Sequence, residues 1–222
     1  METEPATLSY FERLIDTVRP LADTIWSNLA SLNGREGPAR IMVTSVEGQS
    51  GNTLISTACA LGLARHTRQP VTLIEAQLRR PAVADFLELE SGPGLGELLA
   101  GANSVEDCLR PMPGCPELTV LPAGAGRDPI RGELAAQEAR EVLTSLFSKG
   151  RYVILDAPPL LESNGARILL EHVDGVVLVL KAGSSRKDQV REAADIIQKA
   201  GVEMHGTVLN RFRSPLPFTG PA

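Results

Sequence analysis

Cysteine is scarce in the 222-residue sequence, which contains only Cys59, Cys108 and Cys115. The number is odd, the spacing is not that of a metal-binding pair, and no histidine lies near Cys108 or Cys115. These features argue against both a disulfide framework and a zinc site. The sequence therefore predicts reduced thiols in a cytosolic protein.

Long apolar runs are also absent. A run such as Gly175–Leu180 is far too short to span a bilayer, and the acidic first residues, Met1–Pro5, lack the apolar core of a secretory signal. We therefore expect a cytoplasmic protein without direct membrane insertion. It would reach the inner face of the plasma membrane only through a partner.

No excess of positive charge is present. The 22 Lys and Arg residues stand against 27 Asp and Glu residues, which gives a net charge of −5, and no basic block interrupts the chain. Nucleic acid is therefore not expected as a partner.

What the sequence does contain is a regular alternation of strand and helix patterns. Near-continuous Val, Ile and Leu runs predict strands over 40–44, 71–76, 118–121, 152–155, 175–181 and 205–210. The intervening segments predict helices over 53–65, 82–89, 95–99, 133–148, 165–170 and 186–200. This alternation is typical of an α/β fold, a doubly wound and mostly parallel sheet covered by helices on both faces.

The ends of the chain differ from this core. Residues 1–37 predict a helical N-terminal arm, in which Pro20 breaks or restarts the helix, and turn residues over 33–38 mark its boundary. Residues 38–213 form the expected α/β domain, and residues 214–222 predict a disordered tail.

The stretch Ser45–Ser56, SVEGQSGNTLIS, follows the first strand and opens the first core helix. A phosphate-binding loop occupies this position because its backbone N–H groups and the helix N-terminus converge on an anion. Gly48, Gly51 and Thr53 retain the glycines and the metal-binding hydroxyl of such a loop. Asn52, however, stands where a phosphate-binding loop has lysine, and an amide carries no charge. By itself the loop fits a nucleotide site and a plain strand-to-helix turn about equally.

Further segments, taken in their order along the chain, favour a nucleotide site over a plain strand-to-helix turn. They are Leu78–Pro81 (LRRP), Pro93–Leu95 (PGL), Leu98–Gly101 (LLAG), Leu121–Gly124 (LPAG), Asp156–Pro159 (DAPP), Val173–Gly175 (VDG) and Val208–Arg211 (VLNR). With the loop, these segments resemble the bacterial tyrosine kinases, the cytoplasmic P-loop module of polysaccharide co-polymerases in capsule and exopolysaccharide synthesis. The resemblance spans residues 21–213 and implies a P-loop NTPase-like domain. It implies nucleotide binding by Gly48, Gln49, Ser50, Gly51, Asn52, Thr53 and Asn210.

The sequence differs from this family at the positions of the family's catalytic and metal-binding residues. The family writes Gly-Lys-Ser/Thr in the loop, and this chain has Asn52. After the second strand the family has Ile-Asp-Ala-Asp, whereas Glu75 and Gln77 replace the two aspartates here. Another family aspartate corresponds to Gly165. By resemblance, only Thr53 and Asp156 remain as metal contacts, and only if nucleotide binds.

These losses predict loss of catalysis. Phosphoryl transfer depends on positioning and on neutralising charge, and removing one such element typically costs about 10²–10³ in rate. Asn52, Glu75, Gln77 and Asp156 are therefore expected to be vestiges of a catalytic site. The backbone cradle still predicts weak binding of ATP or ADP with Mg²⁺, but no cofactor is assigned with certainty.

Assembly features of the family are missing as well. Its C-terminal tyrosine cluster has no counterpart, since Tyr10 and Tyr152 are the only tyrosines. Its oligomerisation motif Glu-x-x-Arg-x-x-Arg aligns with Pro20, Asp23 and Trp26, so a ring of the family's usual kind is not expected. Trp26 could anchor a partner or pack the arm onto the core.

The resemblance and the departures together predict a non-catalytic cytoplasmic partner of a membrane co-polymerase of the chain-length determinant type. One alternative is a divergent ATP-dependent autokinase that uses Glu75 and Asp156, with a lysine or arginine from elsewhere replacing Asn52. Arg79 and Arg80 could contact phosphates or an interface, or could lie in a solvated helix start. The second alternative, a partitioning-type P-loop ATPase, predicts a lysine in the loop and a membrane-targeting C-terminal helix. The sequence contains neither.

Overall fold

The computed structural model describes residues 19–25, 27, 39–125, 144, 146 and 152–212. Its strands are β1 (Ala39–Ser45), β2 (Val71–Glu75), β3 (Arg110–Met112), β4 (Cys115–Leu121), β5 (Tyr152–Asp156), β6 (Gly175–Lys181) and β7 (Glu203–Asn210). They form one seven-stranded sheet in the order β3-β4-β2-β5-β1-β6-β7. Every pairing within this sheet is parallel except that of β3 with β4, which is antiparallel.

The helices that the structure describes in full are α1 (Asn52–Thr67), α2 (Val83–Phe86), α3 (Leu95–Leu99), α4 (Val105–Cys108), α5 (Asn164–Leu170) and α6 (Lys187–Lys199). Residues 19–25 and 27 are also helical. Local sequence explains several starts. For example, the Ser163 hydroxyl accepts a hydrogen bond from the Ala166 N–H and caps α5. Among the helices that the structure describes, none is both long and apolar enough to cross a membrane.

The core lies on both faces of the sheet. Neighbouring residues of β1 point to opposite faces, so Ile41 and Val43 join one buried cluster while Met42 joins another. Helix α1 packs in the first cluster and α5 in the second. A sheet covered on both faces is what the near-continuous apolar strands predict. The expected doubly wound, mostly parallel α/β fold is confirmed.

The described part of the N-terminal arm packs closely on α1. Ala22 and Ile25 are buried, and a Cβ atom on Gly62 would lie 2.8 Å from the Ala22 carbonyl oxygen. Glycine at position 62 therefore lets the two helices approach closely. His66 Nε2 also lies 2.8 Å from Asp23 Oδ1 across the same contact.

Most predicted elements match within one or two residues, and two elements were not predicted. The short helix α4 and the strand β3 lie in the glycine- and proline-punctuated stretch before β4, where β3 forms an antiparallel edge. The predicted helix over 133–148 lies outside the described residues apart from positions 144 and 146, which are helical. Tyr10, Trp26, residues 1–18 of the arm and the tail at 214–222 also lie outside them. Tyr152 packs half-buried against the core.

Candidate functional site

The loop between β1 and α1 lies where parallel strands deliver functional groups, at the carboxyl end of the sheet. Gln49 and Gly51 have φ values of 59° and 94°, and Gly51 is the N-cap of the 16-residue helix α1. The positive φ of Gly51 favours glycine, and a Cβ atom there would also displace the Asn210 amide. The chain thus builds the turn of a phosphate-binding loop onto a long helix N-terminus.

Neighbouring strands hold this loop in place. The Asn210 amide at the end of β7 donates a 2.7 Å hydrogen bond to the Ser50 carbonyl oxygen. The Glu47 carboxylate accepts hydrogen bonds of 2.8 Å and 2.9 Å from the Ser184 and Ser185 hydroxyls, which follow β6. Asn210 thus supports the loop and is not among the residues that line the cavity described next.

A cavity of about 420 Å³ opens above the loop. Its walls come from the loop, from the chain after β2 and from the chain after β5. The lining residues are Gly48, Gln49, Ser50, Gly51, Asn52, Thr53, Gln77, Arg79, Arg80, Ala82, Asp156, Ala157, Pro158, Pro159, Glu162, Ser163 and Arg211. The six loop residues expected to bind nucleotide therefore lie together, with Gln77 and Asp156.

Asn52 is held by the end of β5. Its amide nitrogen donates a 3.0 Å hydrogen bond to the Ala157 carbonyl oxygen, while its amide oxygen is buried without a partner among the described residues. The side chain brings no positive charge to the cavity, and one of its two N–H donors is already in use.

Asp156 and Thr53 form the polar floor of the cavity. The Thr53 hydroxyl donates a 2.8 Å hydrogen bond to Asp156 Oδ2, whereas Oδ1 is buried and unpartnered among the described residues. The pKa of Asp156 is raised to about 7, chiefly by burial and to a smaller extent by the nearby Glu75 carboxylate, while hydrogen bonding by Thr53 and Ser56 opposes the shift.

The orphaned Oδ1 atom and the adjacent hydroxyl fit an oxygen-liganded cation. Thr53 and Asp156 would hold Mg²⁺ there, and the ion would supply positive charge to bound phosphates. Within the described part of the chain, no group of three or more His, Cys, Asp or Glu side chains could hold a metal ion by itself. The donor set is thus one that relies on a bound ligand to complete it.

Glu75 is not among the residues that line the cavity. Its Oε1 atom accepts hydrogen bonds from the backbone N–H groups of Ala82 and Val83, the latter at 2.7 Å. Its Oε2 atom accepts one from the Ala123 N–H at 2.9 Å. Burial raises the pKa of this carboxyl group, and the three backbone hydrogen bonds oppose the shift. The carboxylate that the sequence offers in place of a family aspartate thus ties together three chain segments.

Residues that sequence reasoning did not assign to the site also line it. Arg79 and Arg80, for which the sequence allows a phosphate contact, an interface contact or a solvated helix start, both line the cavity with exposed side chains. Arg211 and Glu162 lie there as well. Arg211 could have been suspected because it follows Asn210 directly, whereas Glu162 carries no motif. Only the turn after Pro158 and Pro159 brings Glu162 to the loop.

Comparison with known proteins finds similarity to bacterial tyrosine-protein kinases. No protein-family model matches the chain. The tyrosine-protein kinase YwqD of Bacillus subtilis is 27% identical over 84% of this chain and 78% of its own length. Two further matching tyrosine-protein kinases, Ptk of Acinetobacter johnsonii and Wzc of Salmonella typhi, are longer, and the chain spans 26% and 23% of their length, respectively.

Solved structures agree with the sequence relatives. The VpsO kinase domain superposes with a TM-score of 0.79 at 28% identity and covers 92% of this chain and 100% of that domain. The septum site-determining protein MinD of Pyrococcus horikoshii, solved with Mg-ADP, has a TM-score of 0.66 at 23% identity over 79% of this chain and 71% of its own. The fold is thus that of P-loop ATPases, and one neighbour of that fold holds Mg-ADP.

Proposed function

Because this chain is related to the bacterial tyrosine-protein kinases and shares their P-loop ATPase fold, we propose that it is a catalytically degenerate form of such a kinase. It acts as a cytoplasmic regulatory partner in exopolysaccharide or capsule biosynthesis and export. Its partner is a membrane polysaccharide co-polymerase, and its site binds nucleotide weakly or not at all.

The observation that carries the proposal is that an asparagine, Asn52, stands where a phosphate-binding loop has lysine. A working loop places an ammonium group against the β- and γ-phosphates. Here the Asn52 amide is bonded to the Ala157 carbonyl and contributes no charge. Glu75 is committed to three backbone N–H groups, and Gln77 is neutral. Asp156 is the one acidic residue of the family's site that still lines the cavity. Its pKa of about 7 leaves it partly protonated near neutral pH.

One observation favours the autokinase alternative. Arg79, Arg80 and Arg211 line the cavity, so side chains from elsewhere in the chain bring positive charge to a cavity that lacks the loop lysine. An arginine can bind phosphate in a bidentate fashion, although not from the position that a loop lysine takes. The following experiment separates the two candidates.

Restoring the lysine tests the proposal directly. Asn52→Lys should strengthen binding of Mg-ADP by about 10²-fold, because one charge-assisted contact to phosphate is restored. Isothermal titration calorimetry of the wild type and the variant measures the ratio. Gln198→Lys, which adds one positive charge at an exposed position on α6, controls for net charge.

Labelled ATP with Mg²⁺ provides the second readout. We expect no turnover or phosphotyrosine from the wild type above the level of Asp156→Ala. Turnover that Asp156→Ala abolishes would establish the autokinase instead. Tight Mg-ADP binding by the wild type would equally contradict the assigned role of Asn52.

A cellular prediction follows from the absence of catalysis. In a bacterium that depends on this protein for polysaccharide of normal length, Asp156→Asn should restore the chain-length distribution as fully as the wild type, at matched protein levels. Gel electrophoresis of the purified polysaccharide measures the distribution. If Asp156→Asn fails while remaining folded, the protein works through the chemistry of that carboxylate and the proposal is wrong.

A further inference from the structure

A carboxylate from this chain lies on the phosphate-binding loop. Glu162 Oε1 accepts a 3.0 Å hydrogen bond from the backbone N–H of Gly48. A Cβ atom built on Gly48 would have the two Glu162 carboxylate oxygens at 3.7 Å and 3.9 Å. The whole carboxylate group, not one oxygen alone, therefore lies against the loop.

The surrounding backbone fixes this placement. The Pro158 carbonyl oxygen accepts a 2.7 Å hydrogen bond from the Thr44 hydroxyl, and the N–H of the buried Leu160 donates a 2.7 Å bond to the Ser45 carbonyl oxygen. The Glu162 N–H then closes a turn onto the Pro159 carbonyl oxygen at 3.1 Å. Glu162 is exposed, but its backbone is anchored to the end of β1, directly beside the loop.

The loop's N–H groups are the donors that a bound phosphate would use. A carboxylate is the protein's own equivalent of such an anion, and two anions at one donor repel each other. Arg79, Arg80 and Arg211 line the same cavity, so positive charge is present there. Glu162 and the partly protonated Asp156 are the acidic residues among those that line it.

We propose that Glu162 is an affinity-determining residue that competes, as an internal anion, with the phosphate groups of a nucleotide for the Gly48 N–H. A ligand phosphate has to displace this carboxylate before the loop can close around it. The inference rests on the proposed function only in treating the loop as a phosphate site, and it is independent of turnover.

A purely structural role for the same hydrogen bond predicts the opposite result. If the bond held the loop in its binding-competent shape, its loss would loosen the loop and weaken phosphate binding. The sign of the change in affinity therefore separates the two roles.

The experiment measures the dissociation constant of Mg-ADP by calorimetry for Glu162→Gln and Glu162→Ala. Each variant is made in the wild-type chain and in the Asn52→Lys chain, so that binding is measurable in at least one background. Glu192→Gln and Glu192→Ala on the exposed face of α6 change the net charge equally and serve as matched controls. If Asn52→Lys does not bind Mg-ADP more tightly than the wild type, the proposed function is contradicted. The ratio of the dissociation constants of a Glu162 variant and its parent, measured within one background, tests this inference separately.

We expect Glu162→Ala to bind Mg-ADP at least tenfold more tightly than its parent, and Glu162→Gln several-fold more tightly, with the Glu192 variants unchanged. The Gly48 amide resonance in a ¹H–¹⁵N spectrum should shift in the Glu162 variants and not in the Glu192 variants. Unchanged or weaker binding in the Asn52→Lys background overturns the inference. The inference is also overturned if the Glu192 variants gain as much affinity for Mg-ADP as the Glu162 variants, or if the Gly48 amide resonance does not shift in the Glu162 variants.

Discussion

The free energy of unfolding is expected to fall as the pH rises from about 4 to about 7, and Asp156 is the main cause. In the unfolded chain this carboxyl group ionises near its ordinary pKa of 3.8, whereas burial in the folded protein raises the pKa to about 7. Between these values the folded state holds a proton that the unfolded state has released. The stabilisation is therefore complete below about pH 4, is lost as the pH rises through 7, and does not change further above that.

The size of this effect follows from the shift. Each pKa unit corresponds to about 1.4 kcal/mol, so a shift of about three units gives up to about 4 kcal/mol. The raised pKa of Glu75 adds a contribution of the same sign. The pKa values of the exposed Asp107 and Asp188 are lowered, so their contributions have the opposite sign and fall at lower pH.

Urea unfolding at several pH values between about 4 and 8 measures the dependence. Asp156→Asn keeps the shape of the side chain and an acceptor for the Thr53 hydroxyl, and it should remove most of the slope and be more stable than the wild type above pH 7. Asp195→Asn, at an exposed position on α6, should leave the slope unchanged. Equal slopes in the wild type and Asp156→Asn would mean that the carboxyl group ionises normally in the folded protein.

The sheet and the position of the loop could be predicted because they depend on strong local signals. Strands buried on both faces must be largely apolar, and apolar runs such as Ile41–Val43, Val153–Leu155 and Val176–Leu180 mark β1, β5 and β6. The carboxyl ends of parallel strands meet at one edge, so Asp156 and the loop had to lie near each other. The weak elements were missed for the same reason: α4 has four residues and β3 has three, too few for any periodicity.

The chemistry of individual side chains was less predictable, since it depends on where each one points. Asn210 lies in a motif that the family resemblance assigns to nucleotide binding, yet its amide bonds the Ser50 carbonyl and supports the loop from outside the cavity. Glu162 lies in no motif and reaches the loop because a turn after β5 is anchored to β1. Such contacts arise from tertiary packing, and no pattern along the chain encodes them.

The position of Glu75 in the sequence indicates a catalytic role, whereas its hydrogen bonds to three backbone N–H groups indicate a structural one. Replacing it with alanine leaves the buried N–H groups of Val83 and Ala123, together with that of Ala82, without their acceptor. An unsatisfied buried donor costs about 1–3 kcal/mol, so Glu75→Ala should lower the free energy of unfolding by about 3–5 kcal/mol. Glu75→Gln should cost less, about 1–3 kcal/mol, because only one of its two terminal atoms can still accept a hydrogen bond.

Urea unfolding of both variants measures these losses, with Glu90→Ala at an exposed position as the control, for which a change within about 0.5 kcal/mol is expected. A role in the nucleotide site makes a different prediction for the same proteins. A carboxylate that served a metal ion would be relieved of like-charge repulsion when removed, so stability would hold or rise while Mg-ADP binding weakened. Glu75→Ala that unfolds normally and loses Mg-ADP would therefore return Glu75 to the active site. A large loss of stability that Glu75→Gln partly restores assigns it to the architecture that holds β2, α2 and the end of β4 together.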